Sequence, residues 1–571
     1  MKLETFFKHF DLLAEAPNGV QKLRELILDL AVRGKLVPQD ANDEPAAVLL
    51  ERIKKEKERL VKEGKIKKSK PLPEITPDEI PYNLPENWEW VRLGDIIEFF
   101  NGYAFKSNEY QLSGVGIIRI GDIQKGEIVT DNLKFVDMSY LVSIDKNLQV
   151  NPNELLIAMS GATTGKLGFN KTTQTFLLNQ RVGKLIFYLL DSNFSYFYLT
   201  TKIQENLIKS VGSAIPNLST EQIKNLEFPL PPLAEQKRIV TKVDELMKLC
   251  DELEARQKKK QETRILINNA ALNKLLTADT PETFTKNWQR IGDNFDILYS
   301  APENIGKLRQ AILQLAVMGK LVPQNANDEP AAVLLERIKK EKERKVKKEK
   351  SLPAIKDDEI PFDLPIGWEC VRLGEICSFF GGYAFKSDSY VELSSNQVIR
   401  LGNVKNDKIM LKQSPVYITD EIAFENEKFL IHKEDILITM TGTKNKRDYC
   451  FTSVVEDKHI ADKNLYLNQR VGSLRISETL FIQLVNIFLK SSMILDLLFS
   501  SETGTANQGN IGVDAIRNLP FPLPPLNEQK RIVTKVDKLM KLCDELETKL
   551  TQTQTEREKI INAAVKQLLT V

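Results

Sequence analysis

The segment closest to a catalytic motif is SGATTGK, from Ser160 to Lys166. A phosphate-binding loop has four residues between its glycines and a Ser or Thr after the lysine. Here only three residues separate Gly161 from Gly165, and a leucine follows the lysine. The corresponding run in the second half of the chain, TMTGTKNKRD from Thr439, has no Gly-Lys pair. The spacing therefore favours a turn in a strand-rich domain over a nucleotide site.

The sequence also lacks clear patterns for a metal site or a nuclease site. The three histidines (His9, His432, His459) and the five cysteines show no Cys-x-x-Cys or His-x-x-x-His spacing. Pro77-Asp78 could begin a nuclease-type carboxylate cluster, but no Glu-x-Lys follows it nearby. The chain also lacks an Asn-Pro-Pro-aromatic motif and a Gly-x-Gly-x-x-Gly loop. We expect no catalytic residue, no metal site and no cofactor in this chain.

Polar and basic side chains suited to nucleic-acid recognition recur in both halves. Arg can pair with guanine bidentately, and Asn or Gln with adenine. Residues that are identical in two otherwise different domains cannot distinguish bases, so they suit phosphate contacts or the domain framework: Lys106, Arg119, Asn179, Gln180 and Arg181, with Lys386, Arg400, Asn468, Gln469 and Arg470. For Asn-Gln-Arg these two alternatives stay equally open. Base-reading residues are expected where the halves diverge, at Thr163, Lys166, Lys444, Lys446 and Arg447.

These candidates lie on a duplicated framework. The segment KLRELILDLAVRGKLVPQ at Lys22 returns as KLRQAILQLAVMGKLVPQ at Lys307. Trp-x-x-Val-Arg-Leu-Gly occurs at Trp88 and Trp368, and LNQRVG also occurs twice. LPPLAEQKRIVTKVD at Leu230 returns near the C-terminus as LPPLNEQKRIVTKVD. The repeated unit is a helical segment, a Trp-containing segment, a variable body and an LPPL helix.

The LPPL helix carries apolar residues at alternating steps of four and three, which is the spacing of a coiled-coil seam. The seam residues are Ile239, Val243, Leu246, Cys250 and Leu253 in the first copy and Ile532, Val536, Leu539, Cys543, Leu546 and Leu550 in the second. From Gln236 to Leu276 such a helix would extend about 60 Å, enough to act as a spacer. The alternative is a single helix packed on a globular core.

The order of the repeats is circular. The middle of the chain carries an LPPL helix followed by a KLR segment, whereas these two elements lie at opposite ends of the chain in the other copy. If the termini meet, they rebuild the helical unit that the middle makes from continuous chain. The sequence therefore predicts approximate two-fold symmetry, with antiparallel long helices and two different variable bodies. Between Trp88 and Leu190, short apolar runs broken by Gly, Asn and Asp predict strands.

Composition sets limits on the class of protein. A chain of 571 residues with 42% hydrophobic and 28% charged residues predicts several globular domains. Five widely spaced cysteines indicate a reducing cytoplasm, and we expect neither a secretion signal nor a membrane span. The net charge is only +2, but Arg52 to Lys70 and Arg337 to Lys350 are rich in Lys and Arg. A solvated helix that continues into a linker is favoured there over a phosphate-facing surface.

The LPPL, KLR and Trp-x-x-Val-Arg-Leu-Gly motifs resemble those of the specificity subunits of type I DNA restriction-modification enzymes, over essentially the whole chain. The resemblance implies that each variable body recognises one half of an asymmetric bipartite double-stranded DNA site, while the helices set the gap. It also implies two modification subunits that bind S-adenosylmethionine and methylate adenine, and restriction subunits that use ATP and Mg. No catalytic residue carries over, because this subunit has none in the family.

The expected fold is α+β, with two mixed α/β target-recognition domains joined by two long helical regions in a prokaryotic cytoplasmic protein. The expected segments are a helical region, a first recognition domain, a central helical region, a second recognition domain and a final helix, at residues 1–75, 76–233, 234–350, 351–525 and 526–571. Two alternatives stay open. The partner could be a fused methyltransferase-nuclease polypeptide, or the chain could be a coiled-coil scaffold without a DNA role.

Overall fold

The computed structural model of the chain describes residues 10–209, 217–345, 352–360, 362–477, 480–505 and 507–570. Its α-helices, in chain order, are α1 Phe10–Ala14, α2 Gly19–Val32, α3 Ala46–Lys62, α4 Leu93–Ile96, α5 Tyr140–Ser143, α6 Ser192–Lys209, α7 Thr220–Lys224, α8 Leu233–Leu276, α9 Pro281–Asp293, α10 Phe295–Leu298, α11 Pro302–Val317, α12 Ala331–Lys345, α13 Leu373–Ile376, α14 Asp420–Glu425, α15 Asp457–Ile460, α16 Ile482–Lys490, α17 Ser492–Ser500, α18 Val513–Arg517 and α19 Leu526–Thr570.

The strands are short and fall in two groups. The first group is β1 Glu89–Arg92, β2 Ile97–Asn101, β3 Val115–Ile118, β4 Ile123–Gln124, β5 Gly126–Ile128, β6 Lys134–Val136, β7 Gln149–Val150, β8 Leu155–Ala158, β9 Leu167–Phe169, β10 Phe176–Leu178, β11 Val182–Phe187 and β12 Glu227–Leu230. The second group is β13 Glu369–Arg372, β14 Cys377–Gly381, β15 Asn396–Ile399, β16 Val404–Lys405, β17 Lys408–Ile409, β18 Tyr417–Ile418, β19 Ile436–Thr439, β20 Thr441–Gly442, β21 Thr452–Val454, β22 Asn464–Leu467, β23 Val471–Ile476, β24 Thr503–Thr505, β25 Gln508–Asn510 and β26 Pro520–Leu523.

The chain divides into two compact units. Unit 1 contains residues 1–259 and 553–571, and unit 2 contains residues 260–552. Residues near the C-terminus therefore belong to the same unit as the N-terminal segment, as the circular order of the repeats predicts. This grouping confirms that α2 and the end of α19 form one helical set, equivalent to α11 and the end of α8. The division into five segments remains a prediction.

Unit 1 contains an antiparallel pair, β1-β12, and two mixed sheets in the orders β6-β3-β10-β7 and β2-β11-β8-β9-β5-β4. Its largest hydrophobic cluster joins α2, the first part of α8 and the last part of α19, through Leu26, Ile239 and Ile561, to the body at Phe194. The interior of the body has its own cluster around Ile118, Leu156 and other residues of the two sheets. The first variable body is thus an α/β domain attached to a helical set.

Unit 2 follows the same general plan, with differences in its sheets. It has the pair β13-β26, sheets in the orders β14-β23-β19-β21 and β18-β15-β22, and the pair β16-β17. A further sheet has the order β20-β25-β24 and begins with the pair Thr441–Asn510; the isolated bridge between Ser160 and Asn217 is the matching contact in the described part of unit 1. The main cluster again joins α11, α19 and the end of α8, through Ile312, Ile532 and Leu275. The frame is duplicated, and the bodies differ in their details.

The long helices bury the residues that the heptad spacing selects. Neither α8 nor α19 contains Gly or Pro, so nothing in their sequences interrupts them. Ile239, Val243 and Cys250 are fully buried, and Leu246 and Leu253 are almost fully buried. In the second copy Ile532, Val536 and Cys543 are buried, and Leu539, Leu546 and Leu550 are partly buried against the same cluster. The seam therefore packs both against other helices and against the globular body.

Ion pairs on the rim of the seam repeat in the two units. Arg24 on α2 lies 2.7 Å from Asp251 and 2.9 Å from Glu254 on α8. Arg309 on α11 pairs in the same way with two acids on α19, Asp544 and Glu547, at 2.7 and 2.8 Å. The acidic partners are well exposed, so these pairs fix register more than they add stability.

Glycine ends the first helix of each KLR segment. Gly34 has φ +67°, and a Cβ there would lie 2.6 Å from Pro85 and 3.0 Å from Trp88. Gly319 has φ +66° and would meet Pro365 and Trp368 in the same way. A left-handed glycine is the usual end of a helix because it carries no Cβ. Here the missing Cβ also lets the Trp-containing segment pack against the helix end.

The basic runs include internal contacts. The ammonium of Lys57 on α3 donates to the carbonyls of Gly94 and Ile97 at 2.8 and 2.9 Å, and burial lowers the pKa of Lys57. Lys342 donates to Gly374 and Cys377 in the second unit. Many neighbouring basic residues of the first run are exposed, as a solvated helix predicts. Residues 346–350 of the second run lie outside the described residues.

Candidate nucleic-acid interface

A buried glutamate joins each variable body to its long helix. In unit 1 Glu235, in the first turn of α8, accepts hydrogen bonds from Trp88 Nε1 at 2.9 Å and from Gln39 Nε2 at 2.6 Å. Its side chain is 1% exposed. Burial raises the pKa of Glu235, and the two hydrogen bonds oppose that shift. A carboxylate at the N-terminus of a helix is also favoured by the helix dipole.

Two further residues of α8 complete this joint, which we define as Glu235, Gln236 and Arg238 with their partners. Gln236 accepts from the backbone N–H of Asp191, just before α6, and donates to the Pro231 carbonyl, both at 2.9 Å. Arg238 holds Asp43 with two hydrogen bonds, at 3.0 and 2.6 Å. The motif Glu-Gln-x-Arg therefore connects the Trp segment, the body and the loop after α2.

The joint is repeated in unit 2. Glu528 accepts from Trp368 at 3.0 Å and from Gln324 at 2.8 Å, and burial raises the pKa of its carboxyl group. Gln529 binds the backbone of Phe481 and Pro524, and Arg531 binds Asp328. Because the same contacts recur around different bodies, they belong to the frame and not to recognition.

A buried arginine holds the segment that leads into each body. Arg92, 5% exposed, donates to the carbonyls of Pro73, Glu74 and Asn225 and to the carboxylate of Glu79. In unit 2 Arg372 makes the equivalent bonds to Pro353, Ala354, Asn518 and Glu359. Five donors in a planar fork suit this many acceptors, which a lysine could not satisfy.

The strand ends of the first body meet at one edge, around Asn179, Gln180 and Arg181. Gly183 on β11 pairs with Asn101 at the end of β2, and Val182 pairs with Ala158 at the end of β8. Leu178 at the end of β10 pairs with Ile118 at the end of β3. We call this the NQR edge of the first body.

The backbone of the NQR edge is tightly fixed. Gln180 N donates to Tyr103 O at 2.9 Å, and Met159 N donates to Arg181 O at 3.0 Å. A Cβ on Gly102 would lie 2.1 Å from Asn179 O, so only glycine allows the two segments to approach. The second body has the same arrangement, with Gln469 N to Tyr383 O, Met440 N to Arg470 O, and Gly382 against Asn468.

The side chains on this fixed backbone point to solvent. Gln180 and Arg181 are exposed, as are Gln469 and Arg470, whereas Asn179 and Asn468 are partly buried. Within the described part of the chain, the side chains of these two Gln-Arg pairs make no hydrogen bond or ion pair. Lys106 and Lys386 are also exposed, each three residues beyond the tyrosine that contacts its NQR edge. The arrangement presents donors on a rigid base, a geometry suited to phosphate contacts.

The two arginines of the shared strand are placed differently. Arg119 binds Asp122 at 3.3 Å and donates to Asn132 O at 3.0 Å. Arg400 donates to Ser414 O at 2.6 Å. In both bodies the guanidinium thus closes a loop that follows the strand. These contacts favour a framework role for the pair over direct DNA contact.

Comparisons with known proteins agree with the repeat. The family model for the type I restriction modification DNA specificity domain matches residues 85–263 and 365–554. The chain belongs to this family of specificity subunits. It is 36% identical to the specificity subunit of the type I restriction enzyme EcoAI from Escherichia coli over 555 residues, which covers 92% of this chain and 90% of that protein. The EcoEI specificity subunit, also from Escherichia coli, is 35% identical and covers 95% and 93%.

Solved structures with detectable likeness include the crystal structure of the HsdS subunit from Thermoanaerobacter tengcongensis. It is 18% identical, with a TM-score of 0.42, and the match covers 86% of this chain and 98% of that one. A structure of a type I restriction-modification system, concerned with complex assembly and conformational transition, is also 18% identical and has a TM-score of 0.47.

The divergent candidates of this specificity subunit lie in loops next to the NQR edges. In the first body Thr163 donates to Ile120 O at 3.0 Å, and exposed Lys166 lies 3.3 Å from Gln124 Oε1. In the second body Lys444 Nζ is 3.4 Å from Gly504 O. Exposed Arg447 pairs with Asp496 at 2.5 Å, while Lys446 is exposed. Base contact by any of these residues remains a prediction.

Two features of the edges were missed at the level of sequence. Tyr103 and Tyr383 are each 43% exposed, packed edge-on at 5.0 Å against the phenylalanine two residues later. Ser160 and Thr441, which directly follow the methionines of the edge, each have a buried hydroxyl with no hydrogen-bond partner among the described residues. The repeated motif GYAFKS could have drawn attention to the two tyrosines, but a motif alone does not predict that their rings are exposed.

The SGATTGK segment is a turn between β8 and β9, as its spacing predicts. A phosphate-binding loop leads from a strand into a helix, and no helix follows here. Among the described residues, no group of three or more His, Cys, Asp or Glu is arranged to hold a metal ion.

Hydropathy identifies no single described helix that could cross a membrane. Together, α16 and α17 satisfy the length and composition criterion, but they are bent by 68° relative to each other. Their residues Leu484, Phe488 and Ile494 lie in the main hydrophobic cluster of unit 2.

Proposed function

We propose that this chain is the non-catalytic, sequence-specific DNA-binding subunit of a type I restriction-modification complex. Each body recognises one half of an asymmetric bipartite site in double-stranded DNA. The observation that carries the proposal is the pair of NQR edges: their backbone geometry is the same, but the loops beside them differ. Identical recognition surfaces on a two-fold frame would require a palindrome, whereas different surfaces on one frame recognise unequal half-sites.

The shared and divergent residues then have separate tasks. Arg181 and Arg470, with the neighbouring Gln, Lys and Tyr side chains, contact phosphates and hold each body in register. Such contacts supply affinity without sequence information. The divergent loops, including those with Lys166 and Lys446, contact base edges. The base sequence of the target also depends on DNA shape.

The chemistry belongs to the partners of this chain. Two modification subunits bind S-adenosylmethionine and methylate adenine, and restriction subunits supply an ATP- and Mg-dependent motor and nuclease. The faces of α8 and α19 that are turned away from the seam provide the docking surface for the modification subunits. The helices also set the gap between the half-sites, and the complex works in a prokaryotic cytoplasm.

Methylome sequencing of cells with and without this protein tests the proposal. We expect N6-methyladenine at one bipartite asymmetric motif only when the chain is present together with its modification subunits. A scaffold without a DNA role would leave adenine methylation unchanged at every such motif. Co-purification would show whether the partner is a set of separate subunits or a fused methyltransferase-nuclease polypeptide.

Two modular changes sharpen the test. Exchange of residues 108–225 for another body should change one half-site and leave the other intact; if both change, the bodies are not independent. Lengthening α8 near Gln257 by one or two turns should widen the gap while both half-sites stay the same. An unchanged gap would contradict the role of the helix as a spacer.

A further inference from the structure

The loop from Thr443 to Cys450 in the second body has an unusual backbone. Asn445, Arg447 and Cys450 have φ of 64°, 52° and 62°. The left-handed backbone conformation is disfavoured for residues other than Gly, Asn and Asp. The corresponding turn of the first body places glycines, Gly161 and Gly165, at its positive-φ positions. Left-handed residues with side chains persist only where surrounding contacts determine the conformation, and such residues concentrate at functional sites.

Contacts on the outer side fix this loop. The Asp448 carboxylate accepts from both the backbone N–H and the hydroxyl of Thr443, each at 2.7 Å, and these bonds lower the pKa of Asp448. Arg447 reaches Asp496 on α17 at 2.5 Å, and its guanidinium lies 5.3 Å from the centre of the Phe499 ring. The guanidinium is therefore engaged within the protein.

The inner side is packed on the sheet β20-β25-β24. Tyr449 and Cys450 are each 2% exposed. Glu502 accepts from Tyr449 Oη at 2.6 Å and from Asn445 N at 3.3 Å. A Cβ on Gly509 of β25 would lie 2.7 Å from Tyr449 Oη, so the loop and the strand pair are in close contact.

Two side chains of the loop make no hydrogen bond in this network within the described residues. Asn445 and Lys446 are exposed, and within the described residues their side chains make no hydrogen bond or ion pair. The loop directly follows the NQR edge, since Thr439 of β19 pairs with Val471 and Met440 N donates to Arg470 O. A free amide and a free ammonium are thus held on a rigid loop beside the surface proposed to contact phosphates.

We propose that Asn445 and Lys446 read bases in the half-site of the second body, and that Arg447 is a positioning residue. This inference rests on the proposed function. An Asn amide offers a donor and an acceptor that match adenine N6 and N7, and Lys donates to guanine O6 and N7. Strain and packing fix the loop before DNA arrives, so little ordering is needed on binding. Arg447 acts through Asp496 by keeping the loop in place.

The test is selection from a randomised DNA duplex library by the full chain in complex with its modification subunits. Asn445→Asp retains a residue that tolerates a left-handed backbone but removes the donor of the amide. We expect the preference for adenine at one position of the second half-site to fall about 10- to 100-fold, the range that a lost bidentate contact gives. Lys446→Ala should relax a neighbouring position in the same half-site.

For the variants at Asn445, Lys446 and Asp496, the first half-site serves as the control for folding and for overall binding, because all three residues lie in the second body. Lys166→Ala is the matched variant and should affect the first half-site alone. Asp496→Ala releases Arg447. It should weaken base discrimination at the same positions as Asn445→Asp without changing the preferred bases. Asp496→Glu keeps a carboxylate for Arg447 and should show normal discrimination.

The outcomes separate the two proposals. If the unaltered complex selects a bipartite motif, but Asn445→Asp and Lys446→Ala both keep its second half unchanged, the assignment of base-reading residues is wrong. Loss of preference in Asp496→Ala that Asp496→Glu does not restore would contradict the positioning role of Arg447. If the unaltered complex selects no motif at all, the proposed function itself fails.

Discussion

Substitution of Glu235 by alanine tests whether the joint stabilises unit 1. The variant removes the acceptor for the Trp88 indole N–H, which is buried and has its 2.9 Å bond to this carboxylate. It also removes the 2.6 Å bond from Gln39, although that amide keeps a second acceptor in Gly34 O at 3.2 Å. Since a buried donor left unpaired is costly, we expect the variant to lose stability.

The magnitude follows from these contacts. An orphaned buried donor costs about 1–3 kcal/mol, and the weakened Gln39 contact adds about 0.5–1 kcal/mol. Loss of the buried carboxylate offsets part of this cost, because burial raises the pKa of Glu235 and so disfavours its charged form. The expected net loss in the free energy of unfolding at pH 7 is about 2–3 kcal/mol.

Urea unfolding, followed by tryptophan fluorescence and helical circular dichroism, measures this loss. Glu245→Ala is the matched control on the same helix, because its exposed pair with Lys242 should contribute less than about 0.5 kcal/mol. A double-mutant cycle with Trp88→Phe should give a coupling energy of about 1–2 kcal/mol. A loss below about 0.5 kcal/mol in Glu235→Ala, or additive single changes, would refute the role of the joint.

The pH dependence has a defined sign. Because the folded-state pKa of Glu235 is raised, the stability that this residue contributes is present at low pH and declines as pH rises through that pKa. Among nearby charges Asp43 raises the pKa and Arg238 lowers it. The destabilisation by Glu235→Ala should therefore be larger near pH 5 than near pH 8. The opposite trend would show that the carboxylate is stabilised in its charged form.

Three further outcomes follow from the structure. Gly102→Ala places a Cβ 2.1 Å from Asn179 O and should cost about 1–3 kcal/mol in thermal or urea unfolding, whereas Gly121→Ala, with open space around its Cβ, should be nearly neutral. In Arg92→Lys the ammonium cannot donate to all the carbonyls that the guanidinium binds, so the free energy of unfolding should fall by about 2–4 kcal/mol in the same assay. An unchanged stability would contradict the role of Arg92 in holding the segment that leads into the body. Arg181→Ala and Arg470→Ala should weaken binding to all DNA sequences alike and lower the salt-dependence slope of log K by about 1 each, measured by fluorescence anisotropy; a change in preferred bases would assign them to base contact instead.

Much of the frame could be predicted because its sequence occurs twice in the chain. The KLR and LPPL segments occur in permuted order, and that order alone predicted that the two ends of the chain would share a unit. Heptad spacing identified the buried face of each long helix, down to Cys250 and Cys543. The end of α2 at Gly34 follows from local chemistry, since glycine accepts the left-handed conformation at a helix end.

The long-range polar contacts could not be predicted in the same way. Arg119 and Lys106 are both basic and both shared by the two bodies, yet Arg119 closes a loop on Asn132 and Lys106 is exposed to solvent. That difference depends on which carbonyl lies within reach after folding. The left-handed residues of the second body, such as Cys450, could not be predicted either, because the contacts that compensate for their strain form only in the folded chain.

The joint explains why Glu-Gln-x-Arg is identical in two units whose bodies differ. Its side chains bind three segments: Glu235 binds the Trp segment, Gln236 binds the residue before α6, and both Glu235 and Arg238 bind the loop after α2. A change in any one would leave a buried or paired group without its partner, so the three residues are constrained together. The recognition loops carry no such shared constraint, because none of the hydrogen bonds of the joint involves them. Divergence can therefore accumulate in the loops while the frame that orients them stays fixed.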